Sequence, residues 1–255
     1  MPRLPLLLLP PALVAAPALA LLWDTSSLGA ASHEVLVQLR LPRLLLAAFT
    51  GSALALAGLL MQGFFRNPLV EPGLLGVSAG AGLGAVIIIS AGFGGLWLLP
   101  LAAFAGALGT LGLVLAIGRR LSGQHAELLL AGVALNALAG ALVNLLLSLG
   151  DPLTLRSATF WLLGSFGQAE WALLLPAWML LALVLAWGWR QRRALDVWQL
   201  GEAEAVHLGL SLTRFRRQLL LAASLLVALA VAQSGGIGFV GLLAPHMARR
   251  LGLFR

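Results

Sequence analysis

Apolar stretches long enough to cross a bilayer alternate with short polar, proline- and glycine-bearing breaks along this chain. From Leu44 to Gly63 there is no charged residue. At a rise of about 1.5 Å per residue, that stretch spans a hydrocarbon core of about 30 Å. Arg40 and Arg43 precede it, and the turn R-N-P-L-V-E-P-G at 66–73 follows. Each proline there restricts the residue before it, so Arg66, Asn67, Pro68, Glu71, Pro72 and Gly73 form a hinge that cannot continue a helix. The charge-free run from Leu74 to Gly118 is too long for one helix, and Gly92, Gly94 and Gly95 divide it into spans near 74–91 and 96–118. Further spans are expected at 1–23, 128–149, 171–189 and 218–234. A polar connector covers 24–39. Residues 151–170 read as a short helix or re-entrant segment, and 194–213 as a polar segment. Gly235 opens another apolar element, with Gly238, Pro245 and His246 at its break, where His246 reads as a turn residue. The whole is one all-α, polytopic membrane domain over 1–255, with about seven spans plus the start of another.

Composition sharpens this picture. The chain is 60% hydrophobic and 10% charged, the balance of a membrane protein. It contains no cysteine and no lysine, and all sixteen basic residues are arginine. Thiolate nucleophiles, cysteine metal sites, Schiff-base lysines and a P-loop lysine are therefore excluded. No catalytic and no metal site is expected. The net charge of +7 reflects arginines at span ends and does not imply nucleic acid as a partner. With the N-terminus inside, Arg3, Arg66, Arg119, Arg120, Arg190, Arg192, Arg193, Arg214, Arg216 and Arg217 fall on the cytoplasmic side. Arg40, Arg43, Arg156, Arg249, Arg250 and Arg255 fall outside or near the outer end.

An internal repeat is visible. Leu44 to Ala48 reads L-L-L-A-A and recurs at Leu219 to Ala223. Each copy heads a small-residue span and then a glycine- and proline-bearing break. The copies start five spans apart and so face opposite ways, as inverted repeats of transport folds do.

Six pieces carry a resemblance. They are R-L-P-R at 40–43, R-N-P-L-V-E-P-G-L-L-G-V-S-A-G-A at 66–81, L-L-L-A-G-V-A-L at 128–135 and L-R-S-A-T-F-W-L-L-G-S-F-G at 155–167. L-G-E-A-E-A-V-H-L-G at 200–209 and G-I-G-F-V-G-L-L-A-P-H-M-A-R-R-L at 236–251 complete them. In order and spacing the chain resembles the FecCD or BtuC-type permeases of bacterial ABC importers for iron-siderophores, haem and cobalamin. The resemblance implies a type II importer permease fold of ten spans, of which this chain holds seven and part of the next, so that it reads as C-terminally incomplete. It further implies a multi-pass protein of the bacterial inner membrane with a cytoplasmic N-terminus. The implied partners are a second permease copy, two cytoplasmic ATPase chains and a periplasmic substrate-binding protein. No cofactor is expected on this chain, since ATP and magnesium belong to the ATPase. The cargo implied is an iron chelate, siderophore or haem, with cobalamin as the alternative.

The resemblance also assigns candidate sites. Arg40 and Arg43 would dock acidic residues of the binding protein through directional arginine–carboxylate pairs, against a plainer reading as snorkelling side chains. Leu200, Gly201, Glu202, Glu204, Ala205, His207, Leu208 and Gly209 would form two short coupling helices seated in the ATPase. From the residues themselves, Gly132, Asn136, Gly140, Asn144 and Ser148 recur every fourth position on one helix face. Asparagines in a span need partners or water, so this stripe either packs helices or lines a translocation path.

Two other classes compete. An ion-coupled carrier would place a carboxylate within the bilayer, whereas Glu71, Glu127 and Glu170 flank spans. An intramembrane hydrolase is suggested only by Gly76-Val77-Ser78-Ala79-Gly80, which lacks the strand–turn–helix setting and a base.

Overall fold

The computed structural model describes residues 32–93, 95–120 and 125–250, and among them every regular element is helical. The expected span at 1–23, with Arg3, and the residue Arg255 lie outside the described residues. So do the side chains of Arg119, Arg120 and His125.

The first long helix, α1 (Leu41–Phe65), is led in by one turn at Ser32–Val35 and a π-helical stretch at Leu36–Arg40. The expected polar connector is thus helical in its second half. The helix stops at Arg66, which takes the left-handed conformation (φ 49°) rare for a residue with a Cβ. Asn67 then accepts the Leu69 N–H at 2.9 Å, the side-chain turn for which Asn is suited. A 3-10 turn at Pro72–Leu75 and Gly76, at φ 82°, lead into α2 (Val77–Ser90). The apolar run expected over 74–91 is therefore a short helix of 14 residues preceded by irregular backbone.

Next come α3 (Leu98–Arg120), α4 (His125–Leu149) and the short α5 (Pro152–Leu163). Asp151 caps α5, accepting the Thr154 N–H at 2.8 Å. The hydrogen bonds from Thr154 hold its carboxyl below the usual value. A depressed folded-state pKa means this cap strengthens α5 at neutral pH and is lost as pH falls through that pKa.

After α6 (Trp171–Arg190) the polar segment forms two short helices, α7 (Arg192–Leu200) and α8 (Glu202–His207). They are hinged at Gly201, whose φ of 132° suits glycine. Then come α9 (Leu212–Ser234), which starts six residues before the expected span, and α10 (Val240–Arg250). Five of the described helical stretches are long and apolar enough to cross a membrane: His33–Phe65, Leu98–Gly118, Glu127–Leu149, Trp171–Arg190 and Leu212–Ser234.

The core lies between α1 and α9. Leu46, Phe49, Met61 and Phe64 share one buried cluster with Leu219, Leu226 and Val227. The helix α10 packs on α1, while α3 and α2 pack on α9 and α4 packs on α2 and α3. Small residues make these crossings. A methyl on Gly80 would run into the Gly106 carbonyl, one on Gly84 into Ala102, and one on Gly58 into Gly241.

The short helices α7 and α8 mark one end of the bundle. At that end, Trp198 of α7 donates its indole N–H to Gly63 O at 3.2 Å. Arg249 donates to Gln62 Oε1 at 2.6 Å, so it lies at this same end. That corrects its expected place with Arg40 and Arg43. The cause is that the chain turns back after α9, and α10 runs beside α1 toward α1's C-terminal end.

The crossings yield a prediction. Gly80→Leu should cost at least the ~1–3 kcal/mol of overpacking, read as a lower thermal midpoint in detergent. Gly109→Ala, with open space around it, should leave the midpoint unchanged or slightly raised.

Candidate functional site

The two chain breaks that the repeat places apart in sequence meet in space. Glu71 Oε1 of the first break accepts the backbone N–H of Phe239, in the second, at 2.8 Å. Phe239 itself has φ 65°. Pro72 lies so close to Gly241 that a Cβ there would stand 2.7 Å from the proline ring.

Pro245 explains a further bond. It sits inside α10, as does His246, which is helical and not a turn residue. Lacking an N–H, Pro245 leaves the carbonyl four residues earlier, Gly241 O, without its helical partner. Gln62, buried in α1, donates its amide to Gly241 O and to Leu242 O, each at 3.4 Å. Its own carbonyl takes Arg249.

A cavity of about 320 Å³ opens at this junction, lined among others by Glu71, Gly73, Ser78, Asn136 and Gly238. Of the hinge residues, Pro72, Gly73 and Gly238 line it, while Arg66, Asn67 and Pro68 form the turn below α1.

The α4 stripe divides. Gly132 is buried against the backbone of Leu74 and Leu75, and Asn136 donates to Gly73 O at 3.3 Å. Both are helix-packing positions at the first break. Gly140 has open space beside it, Asn144 is exposed, and Ser148 is exposed and bonds its own helix at Leu145 O. Periodicity could not separate these two halves, because it encodes a face and not what covers it.

At the far end, α1 and α6 are clasped. Arg43 donates to Gly167 O at 3.4 Å and Trp171 Nε1 to Val37 O at 3.2 Å. Arg43 is exposed, and Arg40, at the end of the π-helical stretch, is half-buried.

Around α7 and α8, Ala205 is fully buried, and Leu200, Val206 and Leu208 are exposed beside exposed Glu204, His207 and Gly209. Glu202 is different: it pairs with Arg216 of α9. Its carboxylate thus faces this chain's own arginine, and the knob presented outward is chiefly apolar.

Sequence reasoning missed Gln62 and Trp198, and it placed Glu71 in the hinge without its partner Phe239. The free carbonyl that Pro245 implies was the available signal for Gln62. Among the described residues no group of three or more His, Asp or Glu is placed to hold a metal ion.

The model of the FecCD transport family matches residues 10–252. The chain belongs to that family. It is 44% identical to the hemin transport system permease protein HmuU of Yersinia pestis, over 89% of this chain and 70% of that one. It is also 44% identical to the vitamin B12 import system permease protein BtuC of Serratia proteamaculans, over 91% and 70%. A solved structure described as the inward-facing conformation of an ABC transporter assigned to the metal-chelate type aligns at a TM-score of 0.82 and 35% identity. That alignment covers 95% of this chain and 82% of the other. This FecCD chain is therefore an ABC importer permease with the type II fold, a transport component and not an enzyme.

The Gln62 network predicts a specific epistasis. Gln62→Leu should lower stability by about 1–3 kcal/mol by orphaning buried carbonyls. In a Pro245→Ala background, where residue 245 regains an N–H for Gly241 O, the same change should cost clearly less. Thermal midpoints of the four proteins of this double-mutant cycle measure it.

Proposed function

We propose that this permease moves an iron chelate, siderophore or haem, from the periplasm to the cytoplasm. The observation that carries this reading is the match, over nearly all of this chain, to the metal-chelate type transporter, and the relative named for hemin transport agrees with it. A second reading, cobalamin, is favoured by the equal identity to BtuC. The cavity where the two breaks meet would lie along the path, since it holds Glu71, Ser78 and Asn136 amid otherwise apolar spans.

The working assembly would contain two permease copies, two ATPase chains and one binding protein. The second copy would face the outer half of α4, where Asn144 and Ser148 are exposed beside Leu138, Leu142 and Leu145. The ATPase would take the knob formed by Leu200, Val206 and Leu208, with Glu204 and His207 at its rim. Arg40 and Arg43 would meet acidic residues of the binding protein. The N-terminus would be cytoplasmic. Moving Arg249 to the end that holds Arg66, Arg190, Arg192, Arg193 and Arg216 strengthens that orientation.

The direct test is reconstitution of the permease with its ATPase and binding protein in liposomes. ATP-driven uptake of haemin or a ferric siderophore is expected. Uptake of cyanocobalamin alone would transfer the assignment to the second reading. Uptake that follows an ion gradient and ignores ATP would refute an ABC mechanism.

Two mutational outcomes accompany it. Leu200→Glu with Leu208→Glu should lower ATPase recovered with the permease by about tenfold, the order expected when apolar anchors are lost. Arg40→Ala with Arg43→Ala should weaken binding-protein affinity and flatten its salt dependence; an unchanged titration would favour snorkelling.

A further inference from the structure

Trp198 is fully buried on α7, a helix whose other residues are half-buried or exposed. It is 1% exposed, whereas Arg193, Asp196, Gln199 and Leu200 on the same helix are exposed. Its surroundings come from three other parts of the chain. The Phe64 ring, near the end of α1, lies parallel to the indole at 5.8 Å, and Phe215 of α9 tilts against it at 5.8 Å. The Arg66 guanidinium, at the first break, stands 5.2 Å from its centroid, and that of Arg216 5.6 Å. Arg216 in turn holds Glu202, the first residue of α8.

The indole N–H donates to Gly63 O. That carbonyl lies in the last turn of α1, where backbone acceptors have no helical donor, while the N–H groups of Arg66 and Asn67 both go to Gln62 O. Phe offers a ring without this donor, and Leu offers neither donor nor π-face.

We propose that Trp198 is a positioning residue that makes the coupling helices, the end of α1 with its break, and the start of α9 into one rigid body. A push on the knob at Leu200 and Leu208 then moves Arg66 and Phe215 together, and through α1 and α9 reaches the junction at Glu71 and Phe239. Arg66 thereby acquires a role that ending a helix does not require: its side chain ties the break to the coupling segment. The inference rests on the importer reading only for what does the pushing. The clasp itself is a property of this chain.

The absence of cysteine makes the test clean. Cysteines placed at the exposed positions Leu69 and Gln199 carry nitroxide labels on the two sides of the clasp, and pulsed dipolar spectroscopy reads their separation. In the otherwise native chain the distribution should be narrow, and the same in the isolated permease as in the complex with its ATPase, with or without ATP. Trp198→Leu should broaden it, already in the isolated permease. Trp198→Phe, which keeps the stack and loses the N–H, should fall between, and serves if the Leu variant is lost from the membrane. Haemin taken up per ATP hydrolysed should fall about fivefold or more in Trp198→Leu complexes.

A distribution as narrow in both variants as in the native chain would overturn the proposal. So would a native separation that changes with nucleotide. Failure of the ATPase to bind at all would instead strike the importer reading, while the isolated-permease comparison would still decide the clasp.

Discussion

The fold depends on a contact between two places where the chain refuses to be helical. A bilayer offers backbone groups no water, so each break in a span must find its donors and acceptors within the protein. Here the breaks supply one another. The Glu71 carboxylate takes the Phe239 N–H, Gln62 takes the carbonyl that Pro245 leaves open, and Gly241 lets α10 lie against Pro72 and Gly58. Remove the side chains that answer these groups, and irregular backbone in the middle of the bundle has nothing to pair with. The cavity sits there for the same reason: two unwound segments cannot fill space as two helices do.

Around that junction the helices divide the labour. The pair α1 and α9 forms the enclosed axis with α10 packed on α1, whereas α3 and α4 assemble on the largely buried α2 through glycine contacts and expose much of their outer surface. The pair α1 and α6 is tied at both ends of α1. Arg43 and Trp171 close one end, and Trp198 of the following α7 closes the other. Such a tied pair suits an element that must carry displacement along its length without bending.

Much of this was legible beforehand, and the limits have physical causes. Charge-free length located the spans of α1, α3, α4, α6 and α9, because a bilayer sets a minimum run. The proline- and glycine-bearing motif at 66–73 announced the stop at Arg66. The repeat pointed to two matching breaks, yet no sequence pattern says that Glu71 reaches Phe239 across so many residues. Glu202 was placed toward the ATPase by the resemblance, which says nothing of contacts within the chain. Arg216, one helix later, claims it. Arg249 was set at the wrong end because counting spans assumes that each crosses fully, while α10 starts beside the middle of α1 and runs toward its C-terminal end.

The enclosure of α9 has a consequence for how the protein is made. Of the five long apolar stretches it is the least apolar and the most surrounded by protein, and it is the last of them to leave the ribosome. Its polar and small residues, Ser224 and Ser234 among them, are covered by neighbours and not by lipid tails. By the time it emerges, α1 and α3 are already synthesised as walls of the groove it occupies. Its entry into the bilayer is thus a docking event as much as a partitioning one. Lesions in the earlier helices would surface as failures of a later one to insert.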